Sequence, residues 1–281
     1  EKAFSQAIKI IMNSFYGVLG SSGCRFFDTR LASSITMRGH EIMKQTKRLI
    51  EDKGYQVIYG DTDSTFVSLN GQFSQQEADK VGNQLVEHIN QWWTQHLKQE
   101  YNLTSILELE YETHYRKFLM PTIRGQETGS KKRYAGLIGG GEQERIVFKG
   151  LESARTDWTP LAQRFQSTLY SMVFHDQDPS EYVRDTVERT LAGEFDDELV
   201  YQKRLRRKLH EYQKNIPPQV RAARMADEIN AQLGRPLQYQ SKGRIEYLIT
   251  VSGPEPKEYL KSTIDYQHYI DKQLKPVAEA I

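Results

Sequence analysis

Apolar residues at Phe4, Ala7, Ile8, Ile11 and Phe15 recur every three or four positions, which predicts a helix with one apolar face at the start of the chain. Gly17, Gly20 and Gly23 end it. Asp28 has the chemistry of an N-cap for a second helix through Leu31, Ile35, Ile42 and Leu49, closed by Gly54. An apolar run from Tyr55 to Tyr59 enters Gly60-Asp61-Thr62-Asp63 and leaves through Thr65, Phe66, Val67 and Leu69, which reads as strand, tight turn, strand. Ser74 followed by Glu77 forms a capping box, and the helix it opens runs through Val81, Leu85, Ile89 and Trp92 to about Lys98. Leu107 to Tyr115 alternates as a strand. Arg133–Ile138 and Arg145–Phe148 form a hairpin-like pair around Gly139, Gly140 and Gly141.

Beyond about Gly150 the pattern turns helical. Thr159-Pro160 and Asp178-Pro179 each offer an N-cap followed by proline at the first helical position, and Pro217-Pro218 opens a helix through Val220, Ala223, Met225 and Ile229. Residues 199–209 fit strand or helix, residues 237–251 predict a small β element, and Gly253-Pro254-Glu255-Pro256 predicts a turn. A domain boundary near 150 follows from the change in pattern.

Composition narrows the classes without choosing one. The 281 residues are 38% hydrophobic and 27% charged with a net charge of +1, so a globular core is within reach and only local charge clusters inform about partners. The single cysteine, Cys24, excludes an intramolecular disulfide, and the sequence has neither an apolar run of membrane-spanning length nor a secretory signal pattern. The expectation is a cytoplasmic protein with no membrane partner. His40-Glu41 lacks the second histidine of a zinc-protease helix, and the three glycines lack a following Gly-Lys-Ser/Thr.

Asp61 and Asp63 are the most informative residues. Two carboxylates one residue apart resist joint ionisation unless a cation compensates, and a hard divalent ion with open positions for water or phosphate oxygens suits them. Taken alone, a solvated Asp-x-Asp turn explains them as well. On the first helix Lys2, Gln6, Lys9, Asn13 and Tyr16 fall within about 80° of arc, a polar face opposite the apolar one.

Tyr59-Gly60-Asp61-Thr62-Asp63-Ser64 resembles the C motif of family B DNA polymerases. Lys9-Ile-Ile-Met-Asn13-Ser14-Phe-Tyr16-Gly17 resembles their B motif, and Lys131-Lys132-Arg133-Tyr134 their Lys-x-Tyr motif beside the primer–template. Gly150 to Trp158 resembles the palm-to-thumb junction, so the likeness extends over essentially the whole chain. The resemblance implies an α+β fold: a polymerase palm with a mixed sheet flanked by helices, a fingers helix at the N-terminus and a mainly helical thumb containing a small β element. The implied divisions are residues 1–21 for the second fingers helix, 22–150 for the palm with its acid hairpin at 55–69 and Lys-x-Tyr region at 131–134, and 151–281 for the thumb.

The same likeness implies roles. Asp63 is the first choice as a catalytic metal ligand and Asp61 a weaker, outer one, with two Mg²⁺ ions in the complete enzyme. Lys9 is expected on the incoming triphosphate, Asn13 and Tyr16 near the nascent base pair, and Gly17 where close approach is needed. Glu110 and Glu112, on one strand face, resemble a segment beside the acids; a metal contact through water and a solvated strand face are both open. Lys131, Lys132, Arg133 and Tyr134 are expected on primer–template DNA. Lys203, Arg204, Arg206, Arg207 and Lys208 suit duplex backbone or, as a charge run, plain solvent. Partners implied are primer–template DNA, deoxynucleoside triphosphates and a sliding clamp reached through a part not present here. The family's A-motif aspartate is absent from the sequence, and the chain begins without methionine inside a helical pattern, so a C-terminal piece that is inactive alone is expected. A non-catalytic DNA-binding relative and another palm-fold nucleotidyl transferase or cyclase are the alternatives.

Overall fold

The computed structural model describes residues 2–61, 63–71, 73–121, 132–155 and 158–281. Two compact units divide the chain, Glu1–His114 and Tyr115–Ile281, a cut that falls inside the stretch expected as one palm. The α+β class stands, with the named strands pairing antiparallel in sheets of two, three and three strands.

In the first unit, α1 (Lys2–Leu19) and α2 (Thr29–Glu51) precede a hairpin of β1 (Gln56–Asp61) and β2 (Ser64–Ser68), and α3 (Gln75–Tyr101) follows it. Asp28 caps α2 by accepting the Arg30 N–H at 2.8 Å, and Ser74 and Glu77 form the reciprocal capping box on α3. Leu49 and Ile50 of α2 meet Ile89 and Trp93 of α3 in a small core, onto which Val57 and Val67 pack from directly paired positions of the hairpin. Burial of these side chains stabilises the hairpin from below.

The strand expected over Leu107–Tyr115 differs from what forms. It is an extended segment with no partner strand among the described residues, yet its alternation survives: Leu107, Leu109 and Tyr111 are half-buried while Glu108, Glu110 and Glu112 are exposed. A side chain of α3 replaces the missing ladder. Asn90 donates from Nδ2 to the Leu109 carbonyl at 3.0 Å and accepts the Leu109 N–H on Oδ1 at 2.9 Å, which satisfies both backbone groups of one residue. Two residues on, the Tyr111 ring lies against Gly82, where a Cβ would overlap it, and its hydroxyl donates to Asp79 at 2.9 Å.

In the second unit, β3 (Lys117–Leu119), β4 (Tyr134–Ile138) and β5 (Arg145–Lys149) form a meander. Then come α4 (Pro160–Phe174), α5 (Ser180–Leu191), β6 (Tyr201–Leu205), α6 (Pro218–Gln232), β7 (Gly243–Thr250) and β8 (Gly253–Pro256). Gly253–Pro256, expected as a turn, pairs with β7 as the edge strand of the β6-β7-β8 sheet. Prolines lack a ladder donor and are tolerated there because an edge strand needs only one bonded side. Helical turns at Tyr266–Tyr269 and Lys275–Ala278 enclose a π turn, Ile270–Leu274. Pro276 has no N–H to give to Lys272, and the Lys275 N–H bonds to the Ile270 carbonyl instead.

The meander packs Ala135 and Leu137 against Leu151, Tyr170 and Phe174, whereas Leu161, Phe165, Val220, Ala223, Ile245 and Leu274 join α4, α6, β7 and the C-terminal turns in a second core. At the rim of the meander, His175 places Nδ1 2.6 Å from the Ser171 carbonyl and Nε2 2.7 Å from Glu144. Both ring nitrogens face acceptors, so the imidazolium is favoured: the Ser171 carbonyl and then Glu144 raise its pKa, while His175 and then Arg116 lower that of Glu144. The histidine contributes stability below its unfolded pKa that is lost as pH rises through the folded value; the carboxylate's share is lost on acidification.

Replacing Asn90 by Ala is expected to destabilise the first unit by about 1–3 kcal/mol in urea unfolding, since a partly buried N–H and C=O lose their partners together. Gly82→Ala should lower the transition as well, by displacing the Tyr111 ring. A wild-type midpoint in both variants would show that the segment after α3 is not held by these contacts.

Candidate metal-binding and nucleic-acid-binding residues

On α1, Lys9, Asn13 and Tyr16 are exposed. The apolar face departs from expectation: Phe4 is 73% exposed, Ile11 57% and Phe15 70%. In the last turns of α1 the Asp28 N–H bonds to the Leu19 carbonyl and the Tyr16 hydroxyl lies 2.7 Å from Thr36 Oγ1 of α2. Thr36 gives its own proton to the Ala32 carbonyl at 3.0 Å, so Tyr16 is the donor. Periodicity identified both faces of the helix, but coverage of an apolar face depends on chain elsewhere. A Cβ at Gly17 would meet nothing within 4 Å, so packing within the described residues does not require glycine there.

The acids sit where the sequence puts them, at the end of a hairpin. Asp61 pairs with Ser64 as the last rung, the Asp63 N–H bonds to the Asp61 carbonyl, and Thr62 lies outside the described residues. A bulge at Ile58, skipped between the Val57–Val67 and Tyr59–Phe66 pairs, adds local twist just before the turn. Beneath the turn Gly60 faces α2, with Met43 Cε 3.5 Å from where its Cβ would be, and the Tyr59 and Phe66 rings lie 5.4 Å apart. Asp61 is half-buried and Asp63 is exposed, its carboxylate 3.4 Å from the Ser64 hydroxyl. Two hard oxygen donors on one turn, one facing solvent, fit part of the ligand set of a divalent ion that keeps water or phosphate oxygens on its open side. Among the described residues no group of three or more acid, histidine or cysteine side chains comes together. Glu110 and Glu112 project to solvent from the Asn90-anchored segment and do not complete such a group.

In the second unit the Lys-x-Tyr stretch opens β4. Lys131 lies outside the described residues. Lys132 is exposed with φ of 64°, a left-handed conformation that is unfavourable for lysine, and Gly150, itself at φ 65°, lies so close that a Cβ there would overlap the Lys132 carbonyl. Tyr134 is half-buried, its ring 5.2 Å from Phe118 and 6.2 Å from Tyr115. Arg133 differs from its neighbours: its guanidinium donates to Glu152, a carboxylate only 7% exposed.

The basic run lies on and after β6. Lys203 and Arg204 belong to the strand, where the exposed Arg204 alternates with buried Tyr201 and Leu205, and Arg206, Arg207 and Lys208 follow it, all exposed. The Tyr212 hydroxyl accepts the Arg206 and Arg207 N–H groups at 3.1 and 3.2 Å, which fixes the backbone that carries them. Strand register adds a residue that the linear sequence hid. Arg244 of β7 stands directly opposite Arg204, both exposed and neither with a carboxylate partner among the described residues. Like charges in such a pair are destabilising. The next pair on the same face, Gln202 and Glu246, is satisfied by a hydrogen bond from the Gln202 amide and by Lys257, 3.5 Å from Glu246.

Comparison with known proteins gives the family. Residues 4–281 match the profile of DNA polymerase family B. DNA polymerase II of Escherichia coli K12 is 64% identical over 280 residues, covering 100% of this chain and 36% of that protein. The DNA polymerase of Thermococcus gorgonarius is 30% identical over 286 residues, 98% of this chain and 34% of the relative. Among solved structures, the family B DNA polymerase from the archaeon Pyrobaculum calidifontis superposes with a TM-score of 0.61 at 28% identity, covering 98% of this chain and 33% of its own. The chain spans about a third of the length of these relatives, and it belongs to DNA polymerase family B.

Proposed function

We propose that this chain carries the acid hairpin, one nucleotide-contacting helix and the duplex-gripping region of a template-directed DNA polymerase. Residues 1–21 act as a fingers helix, 22–150 as palm and 151–281 as thumb of a bacterial cytoplasmic enzyme whose clamp contact lies outside this chain. The observation that carries the reading is Asp61 and Asp63 at a strand–strand turn, backed by a helix of its own and left open on one side. The reaction is in-line attack of a primer 3′-hydroxyl on the α-phosphate of a deoxynucleoside triphosphate, with pyrophosphate leaving. Asp63, with Asp61 as the outer ligand, helps to hold two Mg²⁺ ions, which activate the hydroxyl and neutralise the triphosphate.

Other residues bind and orient. Lys9 suits the triphosphate because an ammonium is a mobile point charge, and Asn13 and Tyr16, one and two turns on, are placed to meet the base pair. Lys132 and Tyr134 approach the paired end of the primer, with Lys131 before them. Arg204, Arg244, Arg206, Arg207 and Lys208 face phosphates, with Lys203 beside them, and an anion between Arg204 and Arg244 would relieve a repulsion that the free protein bears. Among the described residues no helix is long and apolar enough to cross a membrane.

By itself the chain should not extend a primer, whereas a chain lengthened at the N-terminus through the family's A motif should do so with Mg²⁺. Asp63→Ala in the longer chain is expected to slow extension at least about a thousandfold, roughly 4 kcal/mol of transition-state stabilisation. Extension by the short chain, or full activity without Asp63, would sink the assignment. Arg244→Gln should flatten the dependence of log affinity on log salt for duplex DNA by about 0.9 and slightly raise the free protein's melting temperature at low salt, a gain that added salt removes. An unchanged slope would return Arg244 to the solvated surface.

A further inference from the structure

Arg133 sits between two residues proposed to touch DNA, but its own hydrogen bond leads inward. The guanidinium donates from Nη2 to Glu152 Oε1, and the other oxygen of that carboxylate accepts from Gln166 Nε2 at 2.7 Å. Gln166, 1% exposed on α4, turns its remaining Oε1 to the Ser153 N–H at 2.6 Å. A continuous series of bonds therefore joins the residue before β4 to the turn at 152–154 and to α4. Glu152 is too buried to rely on water. Without Arg133 the carboxylate would keep one neutral donor, and a buried charge that loses its partner is strongly destabilising.

The surroundings reinforce the direction of this contact. Gly150 presses the end of β5 against the Lys132 carbonyl, and the Cβ it lacks would lie 3.4 Å from Arg133 Cγ, so the arginine stem runs past the glycine towards Glu152. Tyr170, also on α4, buries its hydroxyl without a hydrogen-bond partner among the described residues. Burial and then the nearby charge of Glu152 push its pKa up, and Arg133 opposes them, which locates the ion pair beside this ring.

We propose that Arg133 is a positioning residue: through Glu152 and Gln166 it fixes Lys132 and Tyr134 for the primer–template, and it does not itself contact a phosphate. The inference rests on the proposed role of Lys132 and Tyr134. A clamp and a phosphate ligand respond oppositely when Glu152 loses its charge. If Arg133 binds phosphate, freeing it from Glu152 leaves DNA affinity unchanged or tighter; if Arg133 is a clamp, the same change loosens the grip.

The test measures primer–template affinity across a salt series in the complete polymerase, with thermal unfolding of each variant alongside. Arg133→Gln and Glu152→Gln should each weaken binding about tenfold in folded protein with the log–log salt slope unchanged, and the double variant should be no weaker than either single one. A slope shallower by about 0.9 in Arg133→Gln, together with wild-type or tighter binding in Glu152→Gln, would make Arg133 a phosphate ligand and overturn the proposal. Lowered melting temperatures with unchanged affinity would reduce the network to a structural brace and overturn it equally. Should either charge variant fail to fold, Gln166→Met takes one hydrogen bond from Glu152 and none from Arg133. Weaker binding at an unchanged slope then supports the clamp, and unchanged binding rejects it. Lys132→Ala separates the two levels of argument: its failure to weaken binding would remove the Lys-x-Tyr reading itself, whereas weakened binding there with unaffected Arg133→Gln and Glu152→Gln rejects only the clamp.

Discussion

Two carboxylates held one residue apart must be kept close by something stronger than their repulsion, and here that is the backbone of a tight hairpin. The Asp61–Ser64 rung and the Asp63 N–H to Asp61 carbonyl bond close the turn, and the Val57–Val67 pair anchors its strands to the core built by α2 and α3. A hairpin stabilised at its base can tolerate an electrostatically unfavourable tip, and a divalent ion that bound there would be met by preorganised oxygens.

Other acids in the chain show the contrasting solution. Asp227, 4% exposed, accepts the Gln238 and Tyr239 N–H groups and the Gln240 amide. Glu255, 5% exposed, is raised in pKa by burial, but hydrogen bonds from Ser262, the Lys261 N–H and Thr250 outweigh this and hold it below the usual carboxylate range. Glu152 has Arg133 and Gln166. These carboxylates are saturated from within and organise loops, as buried charges must. Asp63 is exposed instead, and this difference separates an acid that holds the fold together from one available to a ligand.

Local chemistry was legible in the sequence wherever a few consecutive residues decide the outcome. The caps at Asp28, Ser74 with Glu77, and Thr159 with Pro160 each lie where the pattern puts them, because cap and helix are neighbours in the chain. The acid hairpin was legible for the same reason. Illegible were features that need a partner from elsewhere: the missing strand beside 107–115, the pairing of Gly253–Pro256 with β7, the short strand Lys117–Leu119, and the uncovered apolar face of α1. Alternation gives the faces of a strand but not its neighbour, so Leu109 kept its inward direction while its hydrogen bonds went to an asparagine side chain. Arg133 is the sharpest case: within its motif it is one cation among three, and only the Glu152 contact shows that it turns inward.

The β6–β7 register carries the same lesson about charge. Counting along the sequence finds five cations in six residues at 203–208, a density that a solvated surface also produces. Across the strands the distribution is uneven. At Gln202–Glu246 the negative charge is met by an amide and by Lys257, whereas two pairs further Arg204 opposes Arg244 with no acid partner among the described residues. A sheet selected only for stability would place opposite charges at that pair and would gain a few tenths of a kcal/mol or more. The unmatched pair also lies at the end of β6 from which Arg206, Arg207 and Lys208 continue, so the excess positive charge is concentrated on one rim. A repulsive arrangement at a directly paired position, continuous with further exposed cations, is the pattern expected when the missing negative charge comes from a polyanion rather than from the chain.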